Sequence, residues 1–196
     1  MGGGNRGQTL FTGSVPDFFS AFFLAAALAW LAAAFAQQES ERTLEVDGET
    51  LRYTLRVHPD DAHVLDPSAQ IAPNSALNTA KLLHRHLAAG EIEAAAALSN
   101  APERRLEVYR EYRARIGERK FRRIFTEYFY PENRLVAEIA IGTHRLLIWR
   151  LQSAQHLAGQ YYVETGNNVL MDDVPSSERS QLRRVLEAYR SGKAAN

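Results

Sequence analysis

The longest apolar run lies near the amino terminus: Phe18 to Ala36 is nineteen residues with no charge and one polar side chain, Ser20. Beyond it the pattern becomes short and periodic. Leu44 and Val46, then Leu51, Tyr53, Leu55 and Val57, alternate with polar neighbours, the period of a half-buried strand. Asp47-Gly48 between them is a short turn signal supplying positive φ, so Arg42 to Val57 predicts a hairpin. Pro59, Pro67 and Pro73 then break regularity over 58–75. Asn74 or Ser75 stands ready to cap a helix to Ala89, with Leu77, Ala80, Leu83 and Leu87 at helical spacing and Gly90 as its stop. Glu91 to Leu98 predicts a short alanine-rich helix. Asn100 and Glu103 form a capping-box-like pair around Pro102, opening a helix that carries Leu106, Tyr109, Tyr112 and Ile116 and stops at Gly117.

Lys120 to Tyr130 reads two ways. Phe121, Ile124, Phe125, Tyr128 and Phe129 keep helical spacing, whereas the aromatic and β-branched content and the following Tyr130-Pro131-Glu132-Asn133 turn suit a strand. We read it as strand, because strands follow. Arg134 to Ile141 and His144 to Leu151 are apolar on both faces, as in a central, well-covered sheet, with Gly142-Thr143 as the turn. Leu157 to Thr165 and Asn168 to Asp172 predict another hairpin around Gly166-Asn167. Ser176 or Ser177 then caps a last helix with Leu182, Val185, Leu186 and Tyr189 on one face, ended by Gly192.

Helices, then an antiparallel meander, then a closing helix make an α+β pattern. The division expected is a leader over 1–36, a hairpin with a proline-containing linker over 37–75, and an α+β domain over 76–196. Over roughly Ala76 to Asp173 the order of elements, with phrases such as Ala88-Ala89-Gly90-Glu91-Ile92-Glu93-Ala94-Ala95, resembles the NTF2-like (SnoaL, ketosteroid-isomerase-type) superfamily. The resemblance implies a bent sheet wrapped around helices into a cone with a pocket. The amino-terminal hairpin and carboxy-terminal helix are additions to that pattern.

The apolar run acquires meaning from its flanks. One cation, Arg6, precedes it, and Gln37-Gln38-Glu39-Ser40-Glu41 follows. Ala34-Phe35-Ala36 fits a small-x-small cleavage site, with cleavage after Ala36. Uncleaved, nineteen helical residues span roughly 28 Å, one hydrocarbon core. Signal peptide and membrane anchor through residues 18–36 therefore both stand, and both predict export to a periplasmic or secreted location. Arginine makes up 20 of the 23 basic residues, which suits a GC-rich bacterial genome. The absence of cysteine excludes a disulfide scaffold, a zinc–thiolate site and a thiol nucleophile.

Charge is balanced at 23 Lys+Arg against 23 Asp+Glu, which argues against nucleic acid as a partner. The balance is uneven along the chain. Residues 37–66 hold eight acids and three cations, and residues 101–130 hold nine cations and five acids. Arg113, Arg119, Lys120, Arg122 and Arg123 are thus candidates for an anionic partner, against the alternatives of a solvated helical face and an internal match to the acidic segment.

No phosphate loop, nucleophile elbow or zinc-protease motif is present in the sequence. His58-Pro59-Asp60-Asp61-Ala62-His63 gathers possible ligands without regular spacing and reads as a solvated turn. His84 and His86, two apart on a helix, cannot share a metal, and one of them belongs at a helix–sheet boundary. No metal or cofactor is expected. Glu138 lies mid-strand, and the two-residue turn sets it opposite Leu147 with Arg145 and Trp149 on its diagonals. An outward Glu138 pairing with Arg145 is the expected reading. The alternative, drawn from the resemblance, is a pocket base Glu138 with Tyr128 or Tyr162 as phenol donor. The functional expectation is a non-catalytic binding or accessory module of the cell envelope, for an unknown protein or small-molecule ligand. Its rivals are a small isomerase, lyase or hydrolase using Glu138, and an anchored scaffold using the basic helix.

Overall fold

The computed structural model describes residues 39–46, 48–64, 69–128, 130, 132–152 and 157–193. The expected leader over 1–36, its expected cleavage site and Asp47 of the first turn lie outside the described residues. Among those described, no helix is long and apolar enough to cross a membrane.

The alternating segments form strands β1 (Glu39–Val46) and β2 (Glu49–Arg56). Four helices follow: α1 (Ala76–Ala89), α2 (Ile92–Ala96), α3 (Pro102–Ile116) and α4 (Glu118–Glu127). Then come β3 (Arg134–Ile141), β4 (His144–Arg150), β5 (Leu157–Thr165), β6 (Asn168–Met171) and α5 (Ser177–Arg190). The six strands make one antiparallel sheet in chain order. The fold is α+β. The amino-terminal hairpin belongs to this sheet, because β2 pairs with β3 through Thr54–Ala140, Leu55–Ile139 and Arg56–Glu138. Gln37–Asn196 forms one compact unit.

Both faces of the sheet are covered, as the two-sided apolar runs of β3 and β4 predict. On one face Ala137, Ile139, Leu146 and Ile148 pack with Leu182, Val185 and Leu186 of α5 and with Leu44, Leu51 and Tyr53 of the hairpin. On the other, Leu135, Leu147, Trp149 and Tyr162 pack with Ala76 and Ala80 of α1. A bulge between Leu135 and Ala137 shifts the side-chain alternation of β3 and assigns these two residues to opposite clusters. A third cluster joins the helices through Leu83, Leu87, Ile92, Tyr109 and Phe121. At Gly159 a Cβ would run into Leu186, so only glycine lets β5 approach α5 this closely.

Capping follows the sequence in two of three cases. Ser75 accepts from the backbone N–H of Asn78, and Ser176 from that of Arg179. The expected Asn100–Glu103 capping box does not form: α3 begins after Ala101 with no side-chain cap. Asn100 is drawn away because its amide bonds Asp172 and Asp173 in the loop after β6, satisfying buried groups that would otherwise lose a partner.

Residues 118–127 are helix α4, correcting the strand reading. The helical spacing decided it: Phe121 is fully buried, stacks edge-on against Phe125 at 4.9 Å and meets Tyr112 of α3 at 5.8 Å. Gly117, at φ 82°, breaks α3 and starts α4 on a new axis.

Candidate functional site

Three helices and the sheet leave a half-open cavity of about 480 Å³ between them, walled by Leu83 of α1, Tyr109 and Tyr112 of α3, Phe125 of α4 and Met171 of β6. Val108 and Arg105, Glu111 and Arg115 also border it, and Val108, Glu111 and Arg115 are exposed. Tyr109 and Tyr112 sit one turn apart on α3, so a single helical face supplies both rings. The Tyr109 hydroxyl reaches the Met171 sulfur at 3.9 Å, and burial pushes this phenol up to about 12 against the pull of Arg105. It stays protonated at neutral pH.

Besides the charged Arg105, Glu111 and Arg115, the cavity has one amide in its wall, Gln160 of β5. Its Oε1 accepts from the Trp149 indole N–H at 3.1 Å and from the Tyr162 hydroxyl at 3.1 Å. Its Nε2 lies 2.7 Å from His84 Nε2. Trp149, Tyr162 and His84 are each at most 1 % exposed. An amide nitrogen carries two N–H donors, so one bond to His84 leaves a second donor on a cavity-lining group.

His84 is the helix–sheet boundary histidine, stacked on Tyr128 at 4.0 Å. Burial drives its imidazole down to about 3, although a hydrogen bond to the Phe125 backbone opposes the shift. The folded value lies below the unfolded one near 6.5, so the unfolded chain binds the extra proton between these limits. Stability from the neutral ring is therefore complete above pH 6.5 and is lost as pH falls towards 3, at about 1.4 kcal/mol per pH unit. Urea unfolding at pH 6, 5 and 4 checks this: His84→Gln is expected to flatten that part of the slope.

The three residues proposed as a catalytic set do not share a cavity. Tyr162 is buried beside Gln160, and desolvation holds its phenol well above 10. Tyr128 packs on His84 and, at 5.8 Å, on Trp149. Glu138 opens instead onto a separate polar cavity of about 180 Å³ with Arg56 and Arg145. The register opposite Leu147 is as expected, but the outward Glu138–Arg145 pair is not found. Glu138 is 6 % exposed and bonds His58 at 2.8 Å, with Arg56 at 3.6 Å. Arg145 pairs with Glu164 across β5. The reason is topological: both partners of Glu138 come from β2 and the residues just after it, which the sequence reading kept apart from the sheet.

The loop histidines also depart from expectation. His58 and His63 are buried, His63 with its Nε2 3.3 Å from the Tyr130 carbonyl and its ring edge-on to Trp149, while Asp60 and Asp61 are exposed. The four do not converge, and no metal-binding cluster occurs among the described residues. The basic face of α3 and α4 is a solvated surface with local ion pairs: Arg113 and Arg122 lie 3.6 Å and 2.6 Å from Glu118, and Arg123 lies 3.7 Å from Glu127. Arg119 and Lys120 are exposed.

One grouping escaped the sequence entirely. His144 Nε2 lies 3.2 Å from Ser176 Oγ and 3.8 Å from Asp172 Oδ2. A nucleophilic relay needs the carboxylate on the other ring nitrogen, so that one nitrogen takes the serine proton while the other is held. Here a single nitrogen faces both groups, and Ser176 Oγ already caps α5. Gln160 was missed too: a lone amide mid-strand beside Tyr161 and Tyr162 gives no local sign of its partners. No protein-family model, no curated protein and no solved structure matches this chain.

Proposed function

We propose that this chain is an exported, non-catalytic binding module of the cell envelope that holds a small, largely apolar ligand between its helices and its sheet. The observation that carries this reading is the aromatic cavity with a single oriented amide, Gln160, among its walls. Mostly apolar clefts with few convergent polar groups are the usual form of small-molecule sites. A ring packs against Tyr109, Tyr112 and Phe125, and an acceptor on it takes the second Gln160 N–H. Glu138 lies outside this cavity, which supports binding over the isomerase, lyase or hydrolase alternative. The order of helices before sheet, with a cavity between them, supports kinship with NTF2-like proteins and a sheet bent into a cone. The nineteen-residue apolar run before a small-x-small site supports export to the periplasm or cell exterior, cleaved or anchored through residues 18–36. Local pairing of Arg113, Arg122 and Arg123 supports a solvated basic face over the scaffold reading.

The test uses tryptophan emission. Trp149 is bonded to Gln160, and the chain's other tryptophan is Trp30, in the leader. In a Trp30→Phe chain, neutral aryl ketones and amides such as acetophenone and benzamide should shift Trp149 emission saturably and be recovered chemically unchanged. Saturable binding that leaves Trp149 silent, or conversion of the probe, contradicts the reading.

A further inference from the structure

A second cavity, about 570 Å³ in volume, adjoins the first at Arg105 and Val108 and lies between α3 and the start of α5. Four arginines line it, Arg104 and Arg105 from α3 and Arg179 and Arg183 from α5, against one carboxylate, Asp173. Asp173 is already committed, because it holds Arg105 through both oxygens and also accepts from Ser99 at 2.6 Å. The other three arginines form no ion pair among the described residues. Two of them are nonetheless held in place. Arg104 donates to the Asp173 carbonyl at 3.3 Å, and the Arg179 guanidinium lies over the Tyr161 ring at 5.4 Å. Two elements about 75 residues apart in sequence thus bring four cations to one concave space whose one carboxylate is held by Arg105. Guanidinium groups so placed offer forked donors that match tetrahedral oxyanions, whose binding is strongest where the donors are preorganised. The mutual repulsion is visible at Arg105, held below its ordinary range first by burial and further by the charges of Arg179 and Arg104, with Tyr109 opposing.

We infer that this arginine-lined cavity is a binding site for phosphate, free or as the monoester of a small molecule, with Arg104, Arg179 and Arg183 as its ligands. The volume far exceeds one phosphate, leaving room for the group that a monoester carries. Arg105 and Val108 border both cavities, but the three proposed ligands, Arg104, Arg179 and Arg183, do not line the aromatic one.

Isothermal titration of the full chain with inorganic phosphate, and separately with glycerol phosphate, tests the inference. Saturable binding at low ionic strength is expected for one or both, weakened by salt. Tighter binding of glycerol phosphate identifies a monoester site, and equal binding a site for the phosphate group alone. Arg179→Gln with Arg183→Gln should weaken binding about tenfold or more. An equal loss of charge at two exposed positions elsewhere, Arg52→Gln with Arg150→Gln, should leave it within about twofold. Arg183→Gln alone, at an exposed position, keeps the test valid if the double variant folds poorly. No saturation by either compound at millimolar concentration overturns the inference, as does equal weakening by the two double variants.

Discussion

Replacing Asp173 by alanine should destabilise the fold by about 3 kcal/mol or more, the cost of leaving a half-buried guanidinium without its carboxylate. Asp173 is 7 % exposed and joins the loop after β6 to α3 through two nitrogens of Arg105, while also accepting from Ser99. The Arg105 side chain is 21 % exposed, so water relieves part of the penalty and the lower end of the usual range applies. Urea unfolding of Asp173→Ala, Arg105→Leu and the double variant separates the pair from its parts. The double variant should be more stable than Asp173→Ala alone, since two apolar groups need no partners. A loss under about 1 kcal/mol for Asp173→Ala would mean that the pair is solvated in practice.

Gln160→Leu should cost a similar amount, about 2–4 kcal/mol, by a different route. Leucine fills much of the amide's volume but offers no donor or acceptor. Trp149 and Tyr162, both fully buried, would lose their hydrogen-bond acceptor, and His84 would lose its bond to the amide. Each unsatisfied buried group costs about 1–3 kcal/mol, and the sum falls short of additive because the neighbouring cavity can admit water. Equilibrium unfolding measures the loss. The same change should abolish the emission response to aryl ketones. A stable Gln160→Leu chain that still binds them would remove the amide from the site.

Glu138 and Gln160 show where the sequence was legible. The β3–β4 register was, because Gly142-Thr143 is too short for alternatives and places Glu138 opposite Leu147. The partners of Glu138 were not, because Arg56 and His58 arrive from a strand about 80 residues earlier and no local pattern announces that pairing. Gln160 was hidden for the same reason: its partners come from α1, β4 and its own strand. The misread α4 was a conflict between composition and spacing. Aromatic content pointed to strand, while Phe121 and Phe125 kept the interval that lets them stack on one helical face. Tertiary contact with Tyr112 resolved it in favour of spacing. Asn100 shows the converse, a correct local motif overridden when a better use for the amide appears after β6.

The central claim is that a ligand occupies the aromatic cavity, and one methyl group reports on it. The chain has two methionines, Met1 and Met171, and Met171 lines the cavity beside Tyr109. In protein labelled with ¹³C at the methionine methyls, acetophenone or benzamide should move the Met171 signal saturably, through the ring current of the bound probe. A probe that saturates the protein while the Met171 signal stays fixed would contradict the account.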